Sequence, residues 1–381
     1  MQIRNKELTH GQEYAITSLG KYVNAMNLKY SADLIQKMDR YMEKCSFESY
    51  LHLMIYAHLN EVNSLRALNY DLFLQKYQLI EVWCITSIIS AFSRAYHSCF
   101  DSPNIFNDYV AKDLITQSEF NDIKENMVHG VQFFNADIAQ KFKGNTKEIL
   151  KWITQVQLSP TPLARAAYWK KLLNEVDLGV EQYVILGAGL DTFCFRYPGL
   201  ETVLEIFEID HPSTQEFKKK RLKEANYNIP SNLQFIPMDF SKMFSDQNLI
   251  NQGFDVNKKT FFSLLGVSYY LTREEISSLM VHLFNKVPSG SSVVFDYGDE
   301  TLFTEKGLSN RVENMVKMAT ASGEPMKSCF SYRELEKILE TSGLLIYEHL
   351  TPSHINELYF SNRNDYLTAF ETIHYVHAVK R

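Results

Sequence analysis

Tyr183-Val-Ile-Leu-Gly-Ala-Gly-Leu-Asp-Thr192 is the stretch that decides the fold of this chain. Its first four residues form a short apolar run that is typical of a buried strand. Gly187 and Gly189 follow, with Ala188 between them. Glycines at this point allow the backbone to approach a ligand where any Cβ would block it. The stretch therefore predicts a strand that ends in a ligand-binding turn.

The acid in this turn indicates which ligand it suits. Asp191 is the fifth position of the glycine pattern, and the sixth position, which a dinucleotide fingerprint fills with glycine or alanine, is Thr192. A carboxylate would repel the pyrophosphate of a dinucleotide, whereas it would attract a ligand that carries an amino group and a sulfonium. The turn therefore favours S-adenosylmethionine over NAD.

The composition is that of a soluble globular protein. The chain has 381 residues, of which 45% are hydrophobic and 22% charged, so it can bury a large core and is not disordered as a whole. The formal net charge of -6 argues against a nucleic-acid binder. We find no apolar signal core and no stretch long enough for a membrane span, and we expect a cytoplasmic protein without a membrane partner.

The cysteines and histidines do not predict a metal site. The five cysteines contain no C-x-x-C pair, which fits reduced thiols better than a disulfide framework or a zinc knuckle. His374 and His377 have a spacing that is seen in metal sites, but they lie in a strand pattern, where residues three apart face opposite sides. We therefore predict no metal.

The N-terminal part of the chain has a helical texture. Leu19, Tyr22, Val23 and Met26 recur at helical spacing, and further apolar stripes follow up to Phe92. We expect a helical extension over residues 1–80 that serves as a lid or as a surface through which two copies form a homodimer. The main domain is expected over residues 81–381.

From Tyr183 onward, strands alternate with helices, which is the pattern of a parallel α/β sheet. Capping boxes that begin at Thr272 and Ser331 each predict the start of a helix. The helix-poor stretch 351–365 suggests a hairpin-like excursion between the last two strands. After the first strand, the predicted strands are Val203–Ile209, Leu233–Met238, Phe261–Leu265, Ser292–Asp296, Leu344–His349 and Thr372–Val379.

Acids follow the second and third predicted strands, and ligands of an open parallel sheet bind beyond such strand ends. Asp210 lies about twenty residues after the glycines, where a carboxylate can accept hydrogen bonds from both hydroxyls of a ribose. Asp239 could accept a hydrogen bond from the adenine amine, and Phe240 could pack on the ring. Either acid alone could instead cap a helix or a turn. The ordered set of glycine turn, acid and acid favours a binding site.

Several motifs follow one another in order from about Ser93 to the C-terminus. They are Ser93-Arg-Ala-Tyr-His-Ser98, Ile105-Phe-Asn-Asp-Tyr109, Leu163-Ala-Arg-Ala-Ala-Tyr168, Val184–Arg196, Phe207-Glu-Ile-Asp-His-Pro212, Pro237-Met-Asp-Phe240, Phe261–Thr272 and Val294-Phe-Asp-Tyr297. Together they resemble the leucine carboxyl methyltransferase family of class I S-adenosylmethionine-dependent methyltransferases, and most of all its bacterial branch with polyketide-synthesis O-methyltransferases. The resemblance implies an α/β, Rossmann-like, mostly parallel seven-stranded sheet with helices on both faces. Residues 1 to about 80 lie outside it.

The resemblance also implies how S-adenosylmethionine is held. Arg165, in the helix before the first strand, would clamp the methionine carboxylate, a role that suits the bidentate geometry of a guanidinium. Gly187, Ala188 and Gly189 would face the methionine portion. Asp210 would bind the ribose, and Asp239 with Phe240 the adenine.

One position departs from the family pattern. Leu265 directly precedes Gly266, whereas family members often carry an acid there, near the methionine amine. The departure resembles the polyketide branch and weakens the transfer of a leucine-carboxyl substrate to this chain. Without that acid, the methionine amine would be bound by backbone carbonyls or by Asp191.

The chemistry of methyl transfer places few demands on side chains, because the enzyme mainly aligns the reacting atoms and excludes water. A carboxylate acceptor is already ionised, whereas a hydroxyl would profit from a general base. The candidate bases are His97, Tyr269, Tyr270 and Tyr297. Arg94 is expected on the acceptor side.

The expected function is O-methylation of a carboxylate or hydroxyl oxygen on a small acceptor. The aromatic content of 13% suits a planar, polyketide-like molecule. Two alternatives stay open, namely methylation of a protein or peptide C-terminus and non-catalytic binding of S-adenosylmethionine. Helical closure over the sulfonium end would favour a small acceptor, and an open end would favour a protein.

Overall fold

A seven-stranded sheet forms the centre of the part of the chain that the structure describes. The computed structural model describes residues 85–168, 179–200, 202–240, 244, 246–322 and 324–381. The strands are β1 Gln182–Leu186, β2 Glu205–Asp210, β3 Leu233–Pro237, β4 Thr260–Leu264, β5 Ser292–Gly298, β6 Leu344–Leu350 and β7 Ile373–Lys380. The predicted extension over residues 1–80 lies outside the described residues.

The order of the strands identifies the fold. They are arranged β3-β2-β1-β4-β5-β7-β6, and β1 to β5 pair in parallel. Only β7 among these strands is antiparallel to its neighbours. This order, with its single reversed strand, is that of the class I methyltransferase fold. The α/β fold predicted from the sequence is confirmed.

Helices lie between the strands and before the sheet. They are α1 Ile85–Phe100, α2 Gln117–Phe134, α3 Ala136–Lys141, α4 Thr146–Ile153, α5 Pro160–Tyr168, α6 Phe193–Arg196, α7 Pro212–Glu224, α8 Asp246–Asn251, α9 Arg273–Phe284, α10 Arg311–Ala321, α11 Tyr332–Thr341 and α12 Pro352–Ile355. A π-helical turn, Thr154–Leu158, continues α4. No helix of the described ranges is both long enough and apolar enough to cross a lipid bilayer.

Local sequence signals explain where several helices begin. The capping boxes predicted at Thr272 and Ser331 are both present at the starts of α9 and α11, where each hydroxyl accepts the backbone N–H three residues on. The hairpin-like excursion predicted over residues 351–365 is wrong. Thr351 caps α12, Pro352 occupies its first turn, and a π-helical turn continues to Phe360. A threonine cap followed by proline is a helix start that outweighs the low helical content of the stretch.

Two hydrophobic cores cover the two faces of the sheet. Because successive strand residues face opposite sides, Ile185 packs into one core with Leu163 of α5, while Leu186 packs into the other with Leu279 of α9. Strands this deeply buried on both sides are typical of a parallel sheet with helices on both faces.

The pairing register brings the strand ends together. Leu186 at the end of β1 pairs with Ile209, and Leu264 at the end of β4 pairs with Phe295. The loops that follow β1, β2, β4 and β5 therefore meet at one edge of the sheet. In an open parallel sheet this carboxyl edge is where ligands bind.

Candidate active site

The turn after β1 requires glycine at two positions. Gly187 and Gly189 have φ of +71° and +50°. The N–H of Gly187 donates to the carbonyl of Ile209 at 2.8 Å, which ties the turn to β2. A Cβ on Gly187 would lie 2.3 Å from Val267 Cγ2, and one on Gly189 would lie 2.7 Å from Ser87 Oγ. Both the backbone conformation and the close neighbours thus exclude a side chain here.

Asp210, at the end of β2, is joined directly to this turn. Its Oδ2 accepts the N–H of Gly189 at 2.5 Å, and its Oδ1 accepts the N–H of His211 at 2.6 Å. Burial raises the pKa of the Asp210 carboxyl, and these two hydrogen bonds oppose that rise. The structure therefore brings the predicted ribose acceptor against the predicted methionine-binding turn.

Asp191 has a local role in the same turn. Its Oδ1 accepts the N–H of Phe193 at 2.7 Å, at the start of the short helix α6. The carboxylate therefore caps a helix end, where negative charge is favourable. Its contact with the methionine amine stays a prediction.

The residues predicted to hold adenine follow β3. The N–H of Met238 donates to the carbonyl of Asp210 at 2.8 Å, which places the start of this loop beside the ribose acid. Asp239 and Phe240 come next and are half-buried. Phe240 and Leu265 each lie at the border of a core, on opposite faces of the sheet. Their contacts with the cofactor stay predictions.

Arg165 of α5 lies across the loop that follows β4. A Cβ on Gly266 would lie only 1.6 Å from its Nη1, so the guanidinium rests on the Gly266 backbone. Nη1 is 3.8 Å from Asp296 Oδ2, a longer distance than a hydrogen bond. Among the described residues, the buried Nε of Arg165 has no hydrogen-bond partner. A buried N–H without an acceptor is costly, and a carboxylate ligand would supply one.

Asp296 is a site residue that the sequence analysis missed. It is fully buried near the end of β5, where Oδ1 accepts the N–H of Gly266 at 2.6 Å and Oδ2 accepts the hydroxyl of Tyr269 at 3.0 Å. Asp296 thus fixes the loop after β4 and faces Arg165. The candidate that the sequence offers is its neighbour Tyr297, but strand alternation places residues 296 and 297 on opposite faces.

The three candidate tyrosines have different surroundings. The Tyr269 hydroxyl donates to Asp296, and burial raises its pKa well above the usual range. Burial also raises the pKa of Tyr270, and the negative charge of Glu324 adds to this rise. Tyr297 lies in the second core, where its hydroxyl is 3.0 Å from His349 Nε2. Of the three, only Tyr269 and Tyr270 belong to the loop after β4. Their raised pKa values disfavour the ionised form that a base requires.

His97 of α1 uses both ring nitrogens within the protein. It is fully buried, and its Nε2 accepts the N–H of Ile105 at 2.8 Å. We therefore assign the ring proton to Nδ1, which donates to Asp101 Oδ2 at 2.7 Å. This arrangement favours a structural role that pins the 101–105 loop to α1 over the predicted role of general base.

Arg94 of α1 supports the glycine turn from the protein side. Its Nε donates to Asp108 Oδ2 at 2.8 Å, and its Nη2 donates to the carbonyl of Leu190 at 2.7 Å. Asp108 also accepts the hydroxyl of Thr192 at 2.7 Å. The structure therefore places Arg94 among residues that hold the turn, and its contact with the acceptor stays a prediction.

Asp108→Ala is expected to destabilise the fold. The buried carboxylate pairs with Arg94 and lies 3.7 Å from Arg196, so its removal leaves two buried cations without it. Breaking a buried pair in this way costs about 3–5 kcal/mol. Urea unfolding at neutral pH should show this loss, whereas Glu340→Ala at an exposed position of α11 should change stability by less than about 0.5 kcal/mol.

The pH dependence gives a second check on Asp108. Burial opposes ionisation, but the charges of Arg94 and Arg196 hold the pKa of Asp108 below the usual range. A carboxyl whose pKa is lower in the folded than in the unfolded state contributes stability that is present above about pH 4 and lost as the pH falls through the folded pKa. The stability difference between the wild type and Asp108→Ala should therefore shrink below about pH 4, and a constant difference would contradict this account.

The described residues at this edge fit S-adenosylmethionine. Arg165 offers a buried N–H to a carboxylate, the glycine turn carries no side chain at Gly187 and Gly189, and Asp210 offers a half-buried carboxylate to hydroxyls. The sheet order is that of a class I methyltransferase.

Comparison with known proteins agrees with this class. The sequence model of the family described as leucine carboxyl methyltransferase matches residues 87–284. YktD of Bacillus subtilis (strain 168), named as a candidate S-adenosyl-L-methionine-dependent methyltransferase, is 65% identical over 298 residues, which cover 78% of this chain and 98% of YktD. The chain belongs to the leucine carboxyl methyltransferase family. It is therefore an S-adenosylmethionine-dependent methyltransferase.

More distant proteins are similar over parts of the chain. A relative from Mycobacterium marinum, with the same kind of name as YktD, is 29% identical over 160 residues, which cover 42% of this chain and 50% of the relative. A solved structure of a duf574 family protein from Streptomyces avermitilis is 12% identical, with a TM-score of 0.45. It covers 77% of this chain and 97% of the solved one.

Proposed function

We propose that the protein transfers the methyl group of S-adenosylmethionine to a carboxylate or hydroxyl oxygen of a small acceptor. An aromatic, polyketide-like molecule is one member of this class. The observation that carries the proposal is the contact of α1 with the glycine turn and with Glu324. Ser87 lies against Gly189, and the neighbouring Thr86 donates to Glu324 Oε2 at 2.7 Å.

This contact bears on the size of the acceptor. Thr86 and Ser87 belong to a helix before the sheet, whereas Glu324 follows α10, between β5 and β6. The two segments meet above the carboxyl edge of the sheet, close to the turn at Gly189. A helix that packs over a site helps to exclude water and favours a small acceptor, while a protein C-terminus requires an open groove.

The residues of the site have separate tasks. S-adenosylmethionine supplies a methyl group that its sulfonium makes electrophilic. Arg165 and Asp210 hold and orient the donor through its carboxylate and ribose. Asp296 keeps the loop after β4 in place through Gly266 and Tyr269. These residues supply position and exclusion of water, which is what an in-line displacement mainly needs.

A methylation screen with labelled S-adenosylmethionine tests this proposal. The panel contains phenols, alcohols, aromatic carboxylic acids and peptides with free C-termini, and Asp210→Ala is the matched negative control. We expect label in small acceptors and none in the control. Transfer to peptides alone would support the protein-methylating alternative. Tight donor binding without transfer to any member would support the non-catalytic alternative.

A further inference from the structure

The carboxyl group of Glu324 has no part in the roles proposed above for Arg165, Asp210 and Asp296. It lies two residues after Ser322, which ends α10, and its Oε2 accepts the hydroxyl of Thr86 at 2.7 Å. Among the described residues, Thr86 is the hydrogen-bond partner of the Glu324 carboxyl group. No lysine or arginine of the described ranges forms an ion pair with it. A half-buried carboxylate without a cation is costly as a purely structural feature.

The neighbours of Glu324 place it at the donor site. Thr86 is adjacent to Ser87, which lies against the glycine turn. The charge of Asp210 acts on Glu324, and the charge of Glu324 acts on Tyr270. The carboxyl therefore lies within electrostatic reach of residues after β2 and after β4, on either side of the turn after β1. This is the edge of the sheet at which we propose that the donor binds.

The acid–base properties of Glu324 suit proton transfer at neutral pH. Burial raises its pKa to about 7, the hydroxyl of Thr86 opposes the rise, and the negative charge of Asp210 adds to it. A general base works best when its pKa lies near the operating pH. Among the described residues, the other groups that face this region include Tyr270, whose pKa is raised, Arg165, whose charge lowers the pKa of Tyr270, and Asp296, whose charge raises it.

We propose that Glu324 is the general base of the reaction and that the acceptor group is consequently a hydroxyl, such as that of a phenol or an alcohol. The inference rests on the proposed function and narrows it. A carboxylate acceptor has no proton to give up, and it would be repelled by Asp210 and Glu324 together.

The reaction step balances with Glu324 in this role. The acceptor oxygen forms a bond to the methyl carbon while the bond between that carbon and sulfur breaks. The electron pair of the broken bond stays on sulfur, which becomes a neutral thioether. The acceptor proton moves to Glu324, so the products are a methyl ether and a protonated carboxyl group. Glu324 then loses the proton to solvent and the site is reset.

Glu324→Gln tests the proposal, with Glu340→Gln at an exposed position of α11 as the matched control. With a hydroxyl acceptor from the screen, kcat/KM of the wild type should rise with pH through about 7. Glu324→Gln should lower kcat/KM by about 10²–10⁴-fold and remove that pH step. With a nitrophenol, which ionises more readily than a phenol, Glu324→Gln should lower kcat/KM by a smaller factor. Glu340→Gln should behave like the wild type.

Two measurements without turnover accompany the kinetics. Calorimetry should show unchanged affinity of Glu324→Gln for S-adenosylmethionine. Carbon-13 NMR of protein labelled at the glutamate carboxyl carbons should show a group that titrates near pH 7 and is missing in Glu324→Gln. Burial also raises the pKa of Glu208 to about 7, and its signal should titrate in both proteins. Lost donor affinity, full activity of Glu324→Gln, or no such titration would each overturn the role of Glu324. Methylation of carboxylic acids alone would overturn it while the proposed function stands, and no methylation of any small acceptor would overturn both.

Discussion

Asp210→Ala is expected to abolish binding of S-adenosylmethionine in calorimetry. The variant removes the half-buried carboxylate that we propose as acceptor for two ribose hydroxyls, and each hydrogen bond to a charged group contributes about 1.5–3 kcal/mol. Together these values correspond to a loss of affinity of about 10²–10⁴-fold. The N–H groups of Gly189 and His211 also lose their acceptor, so the turn itself becomes less fixed.

Glu205→Ala is the matched control for this experiment. Glu205 begins the same strand but is exposed at the opposite end of it, and its loss should leave the donor affinity unchanged. Circular dichroism should show that both variants keep the fold. Wild-type affinity in Asp210→Ala would remove Asp210 from the site. NAD should not bind to the wild type, and saturable micromolar binding of NAD would contradict the interpretation of the glycine turn.

The parts of the site that lie directly after a strand were predictable from the sequence. An apolar run followed by glycine or an acid marks the end of a strand, and a parallel sheet collects such ends at one edge. Gly189 and Asp210 therefore needed no knowledge of tertiary structure to be placed together. The hydrogen bond between them confirms that placement.

The parts that depend on side-chain direction or on distant segments were not predictable in this way. Choosing between Asp296 and Tyr297 required knowing which face of β5 meets the cleft. Glu324 follows Thr86 by 238 residues in the sequence. It reaches the site only because α1 and the segment after α10 meet in space. No local pattern encodes such a contact.

His97 illustrates a different limit of prediction from the sequence. Its residue type suggested a general base, but both of its ring nitrogens are used within the protein. A histidine in a family motif is a reasonable candidate base, because its pKa lies near neutrality. Its bonds to Asp101 and Ile105 instead stabilise the loop between them. Such bonds depend on how the chain returns to α1, which the spacing of residues does not reveal.

Arg165→Met is expected to weaken the binding of S-adenosylmethionine by about 10²–10³-fold. The guanidinium faces Asp296 at 3.8 Å and retains a buried Nε without a partner among the described residues, so it can hold a carboxylate without giving up an existing hydrogen bond of that atom. Arg165→Lys should lie between the wild type and Arg165→Met, because lysine keeps the charge but not the planar pair of donors. Calorimetry with S-adenosylmethionine and with its analogue lacking the carboxylate separates the two contributions. The analogue should bind all three proteins alike, and a loss as large as that of the complete donor would show that Arg165 acts only through the fold.

Gly266→Ala tests the same clamp from the other side. A Cβ there would lie 1.6 Å from Nη1 of Arg165, so the guanidinium must move away and the variant should bind the donor as weakly as Arg165→Met. The backbone strain of the substitution needs its own control, because Gly266 has φ of +78°. Gly343→Ala supplies that control, since Gly343 has φ of +76° and a Cβ there would meet nothing within 4 Å. Equal donor affinity of Gly266→Ala and Gly343→Ala would mean that the position of Arg165 over Gly266 does not matter for binding. A loss confined to Gly266→Ala would tie the carboxylate clamp to the glycine that follows Leu265.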